Sequence, residues 1–261
     1  LPARWVFYGL DKVPNDIKLL RPVRPKRRIE FVGSGDAAGF AVDASDSSFL
    51  SAWLWQTTTQ SCQAAYPGLV AKQLDAEYQV QALVGVGVVQ NAHHVSQHLF
   101  GEKTWLYYWP SSLASKLRSE SLVAPQLVVV HLGSDDFHQQ GGALPSKNTF
   151  RVLYSKLLRS IINTYGGFSR SPAILALCGG RGSSPKSDPC STCPIVEEAV
   201  QFFHDTLDLH ADNATVRVEY FFLPCFAAGN SSIVSLGALD RNEHHKLAAK
   251  ITTKIRSFIE G

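Results

Sequence analysis

No stretch of this sequence approaches the roughly 20 consecutive apolar residues that a membrane-spanning helix requires, and internal repeats and low-complexity tracts are missing as well. Charge of one sign is also lacking. The 25 Lys and Arg nearly balance the 22 Asp and Glu over 261 residues, leaving a net charge of +3, so the concentrated basic face of a nucleic-acid binder is not expected. The one basic cluster, Arg21, Arg24, Lys26, Arg27 and Arg28, is interleaved with Pro22 and Pro25, which hold it extended as a solvated linker. Methionine is absent and the chain starts at Leu1, as a processed product would. What is plentiful is apolar surface: 45% of residues are hydrophobic and 18% charged, enough to bury a large core.

Five cysteines, Cys62, Cys178, Cys190, Cys193 and Cys225, are joined by two N-x-S/T sequons at Asn213 and Asn230, the candidate glycosylation sites. Together they favour an oxidising, secretory-type compartment, with an organelle such as the mitochondrion as the alternative. Cys190 and Cys193 are the candidate disulfide pair. A zinc half-site is disfavoured because no second cysteine pair stands at a suitable spacing, and no metal or cofactor is expected. Cys178 and Cys225 end neighbouring predicted strands.

Apolar periodicity predicts strands at 29–33, 78–84, 126–132, 173–178 and 217–223, and helices at 61–74, 146–165, 195–209 and 242–259. In the second helix Val152, Leu153, Leu157, Ile161 and Ile162 return at three- and four-residue steps and predict one buried stripe. The third and fourth strands are continuous apolar runs, the pattern of strands covered on both faces. Alternating βα order then predicts an α/β fold: a three-layer, doubly wound, flavodoxin-like parallel sheet of about five strands, with ligands at the carboxyl ends of the strands.

The turn after the first strand, Phe31-Val-Gly-Ser-Gly-Asp-Ala-Ala-Gly-Phe40, invites comparison with a dinucleotide cradle. That comparison fails, because Phe40 to Ser48 is polar with poor helix character and no acidic residue closes a second strand about 20 positions on. The turn and its approach from Pro22 instead resemble the start of the catalytic domain in the SGNH (GDSL) hydrolases, and within them carbohydrate esterase family two. Further blocks follow in order: Leu69 to Asn91, Leu132-Gly-Ser-Asp-Asp-Phe137, Ala173 to Gly179, and His244-His-Lys-Leu-Ala-Ala-Lys-Ile251. The resemblance implies a remnant of a preceding jelly-roll-like β domain over 1–20, a Pro/basic linker over 21–28 and an SGNH-hydrolase-like domain over 29–261.

Carried over position by position, the family's nucleophilic serine falls on Gly35 or Ala37, with Ser34 one residue early. The oxyanion-hole Gly is kept as Gly85, whereas the oxyanion-hole Asn is replaced by Asp135, whose carboxylate would oppose a developing oxyanion. The base falls on Ala238, or a deletion leaves Asp240 with His244 or His245 nearby. The degenerate site positions are therefore Ser34, Gly35, Asp36, Gly85, Asp135, Asp240, His244 and His245. These losses imply a catalytically inactive SGNH esterase-like protein serving as a structural or interaction subunit of a larger assembly. The competing expectation is a carbohydrate acetyl esterase, or a carbohydrate-binding protein, with an altered active site. Partners are then other protein subunits or carbohydrate, with no nucleic acid and no membrane span.

The remaining chemistry-bearing residues have local readings. His93 and His94 belong to a solvated loop, and His131 to the core as a hydrogen-bonded residue. Asp36, Asp135 and Asp136 could cluster as cation or sugar ligands, with Asp136 holding a turn through backbone amides. Trp53, Trp55, Trp105, Tyr107, Tyr108 and Trp109 lie in loop-like segments suited to a partner interface or sugar stacking. Gly179-Gly-Arg-Gly182 has the composition of an anion nest.

Overall fold

The computed structural model describes residues 25, 27–43, 60–92, 103–111, 124–137, 143–167, 171–180, 189–207, 216–225, 233–234 and 238–260. The elements, in order, are β1 (Arg27–Gly33), α1 (Gly35–Ala38), α2 (Tyr66–Gln73), β2 (Ala76–Ala82), α3 (Trp105–Ser111), β3 (Leu127–His131), α4 (Lys147–Thr164), β4 (Ala173–Gly179), α5 (Cys193–Leu207), β5 (Val218–Leu223), the short pair β6 (Ile233–Val234) and β7 (Ala238–Leu239), and α6 (Arg241–Glu260). The 1–20 segment lies outside the described residues. β1 begins inside the expected linker: Arg27 and Arg28 pair with Ala76 and Glu77 of β2, and the Arg28 guanidinium meets the Glu77 carboxylate at 2.8 Å.

Five parallel strands run in the order β2-β1-β3-β4-β5, the flavodoxin-like arrangement of a doubly wound α/β fold. Alternate residues explain why β3 and β4 are apolar throughout. Val128, Val130, Ile174 and Ala176 face a core formed with α3, α4 and α5. Leu127, Val129, Leu175 and Leu177 face a second core formed with α2 and α6. Each such buried aliphatic side chain contributes about 1.5–3 kcal/mol, so a charge placed on either face of β3 would break a core. β1 carries one exception, the buried Glu30, whose carboxylate accepts from the Tyr165 hydroxyl and the Gln81 side-chain amide.

The long helices are started by side chains. Ser146 Oγ accepts the Thr149 N–H at 3.0 Å and caps α4. Asp240 Oδ1 accepts the Glu243 N–H at 2.9 Å and caps α6. The expected α4 stripe is corrected at its first member: Val152 is exposed, and the buried face runs through Phe150, Tyr154, Leu157, Leu158, Ile161 and Ile162. Phe150 is one turn before Tyr154, so the aromatics set the face and Val152 points away from it.

A second correction concerns the cysteines. Cys190 and Cys193 are both in disulfides, but not with each other: Cys193 joins Cys178 and Cys190 joins Cys225, with Cα separations of 5.3 and 5.8 Å. The segment from 189 to 193 lies across the ends of β4 and β5, which presents its two cysteines to different strands. Cys62 is exposed and unpaired.

Candidate active site

β1 pairs with β2 on one side and β3 on the other, so the winding reverses at β1, and the carboxyl ends of β1 and β3 are the switch point at which folds of this kind bind ligands. Gly33, the last residue of β1, lies opposite His131 of β3. A Cβ on Gly33 would stand 2.6 Å from that of Ala37, so only glycine lets the chain fold back at once into α1. This single turn ends at Gly39, whose φ of 70° is left-handed and whose added Cβ would lie 2.3 Å from the Ser61 carbonyl oxygen.

Ser34 occupies the cap position of α1, yet its side chain makes no cap bond. The Ala37 and Ala38 amides are taken by its carbonyl instead, each at 3.1 Å. Its Oγ turns toward the loop after β2 and accepts the Gly85 N–H at 3.3 Å. The site thus brings Gly85 onto Ser34, the hydroxyl one residue before the expected nucleophile position. Gly35 follows with no left-handed φ. A Cβ there would make ordinary contacts, 3.5 Å to Phe40 Cβ and 3.6 Å to Val84 Cγ1, so a side chain would fit.

The loop carrying Gly85 is held from beneath. Asp136 accepts the Val88 N–H on Oδ2 at 3.0 Å and the Val89 and Gln90 N–H groups on Oδ1 at 2.6 and 3.2 Å. Burial outweighs these three bonds and pushes its carboxyl up to about 7. Gly87 has no room for a side chain here, since a Cβ would sit 2.8 Å from the Asp136 carboxylate. Asn91 completes the loop by accepting the Gly87 N–H at 3.2 Å and donating to the Lys103 carbonyl at 3.0 Å. Asp136 is therefore a loop-holding residue, while Asp36 and Asp135 are buried near the strand ends, each 5% exposed. Among the described residues no group of three or more His, Cys, Asp or Glu is placed to hold a metal ion.

The imidazoles are occupied by packing. His131 bonds the Gly179 carbonyl through Nε2 at 2.9 Å and the Tyr66 hydroxyl through Nδ1 at 3.3 Å. A carbonyl can only accept, so Nε2 carries the proton and Nδ1 receives the Tyr66 O–H. His244, fully buried on the first turn of α6, accepts the Tyr66 N–H on Nδ1 at 3.2 Å and stacks on the Tyr66 ring. Burial holds its pKa down, against the pull of Asp36 and Asp240. With Nδ1 accepting, the neutral ring carries its proton on Nε2, which has no hydrogen-bond partner among the described residues. His244 thus pins α2 to α6, and nothing in the sequence signals a contact made across 178 residues.

Other positions separate from the site. His245 is exposed on α6, and Asp240 serves as its cap. Trp105 and Trp109, expected in a loop and at an interface, are buried in the core on helix α3. Their i, i+4 spacing was the available signal for that face. Tyr107 is exposed. Gly179 and Gly180 do not form an anion nest: the Gly180 N–H donates to the Leu223 carbonyl, and a Cβ on Gly179 would strike the same oxygen. Trp53, Trp55, His93, His94, Arg181, Gly182, Asn213 and Asn230 lie outside the described residues.

The parallel sheet in this order, with helices on both faces, has the fold of the SGNH-type hydrolases. No protein-family model matches the chain. Over 133 residues it is 32% identical to the acetylxylan esterase/glucomannan deacetylase of Cellvibrio japonicus (strain Ueda107), a match covering 50% of this chain and 35% of that protein. The chain therefore matches only about a third of the length of this curated relative. Among solved structures it resembles a family two carbohydrate esterase from Clostridium thermocellum in complex with cellohexaose, with TM-score 0.69 and 19% identity over 93% of this chain and 67% of the other. A family two carbohydrate esterase from Cellvibrio japonicus gives TM-score 0.58 and 18% identity over 93% and 64%. The sequence relative and the shared fold together support a relationship to carbohydrate esterase family two.

Proposed function

We propose that this chain is a carbohydrate-directed protein of the esterase type whose altered active site binds acylated polysaccharide rather than cleaving it efficiently. The observation that carries this is the position of the hydroxyl. Ser34 Oγ sits against the Gly85 amide at the switch point, while the next residue, where the resemblance places the nucleophile, is Gly35. Hydrolysis would need a base to take the serine proton. Neither described buried histidine near the strand ends offers it a lone pair: His131 has both nitrogens bonded, to Gly179 and Tyr66, and His244 has Nδ1 on the Tyr66 N–H and its proton on Nε2. A carboxylate at Asp135 would also raise the energy of an oxyanion. A polar crevice on this scaffold remains suited to sugar hydroxyls and a neutral acetyl group.

The acetylxylan and glucomannan named for the curated relative supply the probes. Calorimetric titration with acetylated oligosaccharides of both kinds should show binding, and acetate release should be near background. Acetate release that Ser34→Ala abolishes would instead make Ser34 a working nucleophile and the protein an esterase. Neither binding nor release would overturn both and return weight to a subunit role. That role drew first on the altered catalytic positions and then on aromatics in loop-like segments, of which Trp105 and Trp109 are buried. The two disulfides favour an oxidising, secretory-type compartment.

A further inference from the structure

Tyr107 differs from Trp105, Leu106, Tyr108 and Trp109 on α3. Trp105 and Trp109 are buried and Leu106 and Tyr108 pack against the core, while Tyr107 is 49% exposed. The segment is fastened to the strand-end loop at two points: the Trp105 N–H donates to the Gly87 carbonyl at 3.0 Å, and the Asn91 side chain donates to the Lys103 carbonyl at 3.0 Å. That loop also carries Gly85, on Ser34, and Val84, 38% exposed beside Gly35. Traced through these bonds, Tyr107 is no more than roughly 25 Å from Ser34, a distance that a short oligosaccharide spans.

The ring is held as well as exposed. The Tyr107 and Tyr108 rings stand perpendicular with centroids 5.3 Å apart, and the Lys103 ammonium lies over the Tyr107 ring, 4.6 Å from its centroid. We infer that Tyr107, with Lys103 beside it, is a stacking subsite for one pyranose ring of a polysaccharide whose acylated unit lies at Ser34. The sugar's C–H face lies on the side of the ring away from the ammonium, which holds the ring from its other face. A protein partner is the poorer fit. A stable interface needs about 800 Å² on each side, and of the large exposed hydrophobics among the described residues only Val84 and Tyr107 belong to this loop assembly.

This inference rests on the carbohydrate reading, and its test keeps the two apart. Wild type, Tyr107→Ala and Tyr107→Phe are titrated with a β-1,4-linked xylohexaose and a glucomannan hexamer, with thermal midpoints recorded in parallel. Tyr107→Ala should weaken binding about tenfold, Tyr107→Phe should stay within about twofold of wild type, and the midpoints should coincide. If wild type binds and Tyr107→Ala binds equally well, the subsite is wrong and the carbohydrate reading stands. If Tyr107→Phe loses as much as Tyr107→Ala, the contact is a hydroxyl bond and stacking is wrong. If wild type binds neither sugar, subsite and carbohydrate reading fall together.

Discussion

The ends of β1, β2 and β3 are organised by hydrogen bonds from buried polar side chains, whereas the ends of β4 and β5 are tied by covalent links. On the first side Asp136, Asn91, His131 and His244 hold the chain through hydrogen bonds to backbone groups, three at Asp136 and two at Asn91. On the second, Cys178–Cys193 and Cys190–Cys225 fasten the start of α5 to two strands. The two sides answer to different conditions. The polar side is set by pH and by individual substitutions, the cross-linked side by redox state.

The largest effect should come from breaking the covalent side. Cys178 and Cys193 are almost fully buried and enclose a short loop, their sequence separation being 15. Replacing both by Ala should cost about 3 kcal/mol, which in a protein of this size lowers the melting midpoint by roughly 6–12 °C. Cys190 and Cys225 are only half-buried, so mild reduction followed by alkylation and mass mapping should label this pair before Cys178 and Cys193. Simultaneous labelling of all four would mean that the two links do not differ in accessibility.

On the polar side two buried groups should give opposite pH slopes. Asp136 has its folded pKa raised by burial to about 7 from an ordinary value near 4. The folded state therefore holds the proton longer, and the contribution of this group to stability is lost as pH rises from about 4 through 7. His244 has its folded pKa lowered by burial, so its contribution is present above about 6.5 and lost as pH falls. Asp135 and Tyr154 face Asp136 electrostatically, and Asp36, Asp240, His245 and His131 face His244. Thermal midpoints across pH 4 to 8 should therefore flatten differently in variants: Asp136→Asn should remove the decline toward neutral pH, and His244→Phe the decline toward acid. Each should also cost about 1–3 kcal/mol, because backbone N–H groups lose an acceptor. An unchanged pH profile in Asp136→Asn would show that this carboxyl is ionised throughout the range.

The same contrast marks what was legible in the sequence. β3 and β4 announce themselves as buried strands because Val128 to Val130 and Ile174 to Leu177 are apolar without interruption. The bond between the Ser34 hydroxyl and the Gly85 amide was not legible, because a hydroxyl one residue before the expected nucleophile position would be turned elsewhere by a tight turn. α1 was not legible, since four residues cannot display a helical period and the glycines around it read as a loop. α3 was missed because Pro110 and the aromatics Trp105 to Trp109 favour a loop reading, although Trp105 and Trp109 share a face. The cysteine pairing depends on where the 189–193 segment crosses β4 and β5, and local spacing says nothing of that. The bond from the Tyr66 amide to His244 is equally tertiary.

The smallest and most discriminating change is at Gly35. Its neighbours need glycine: Gly33 for the approach of Ala37, Gly39 for its left-handed φ and the Ser61 carbonyl, Gly87 for Asp136. Gly35 has an ordinary φ, and an added Cβ would make only van der Waals contacts with Phe40 and Val84. At the first position of α1 a Gly→Ser change replaces a poor helix former by a better one and reduces the freedom of the unfolded chain, a gain of about 0.5 kcal/mol. Gly35→Ser should therefore raise the melting midpoint by roughly 1–2 °C. The new hydroxyl would stand beside Ser34, and neither His131 nor His244 has a ring nitrogen open to accept its proton, so turnover of an activated acetyl ester should stay near background. A lowered midpoint would mean that the crevice has closed over position 35. Rapid turnover by Gly35→Ser would place a working base among the residues around this crevice, and would make the missing oxygen at position 35 the main barrier between this protein and an esterase.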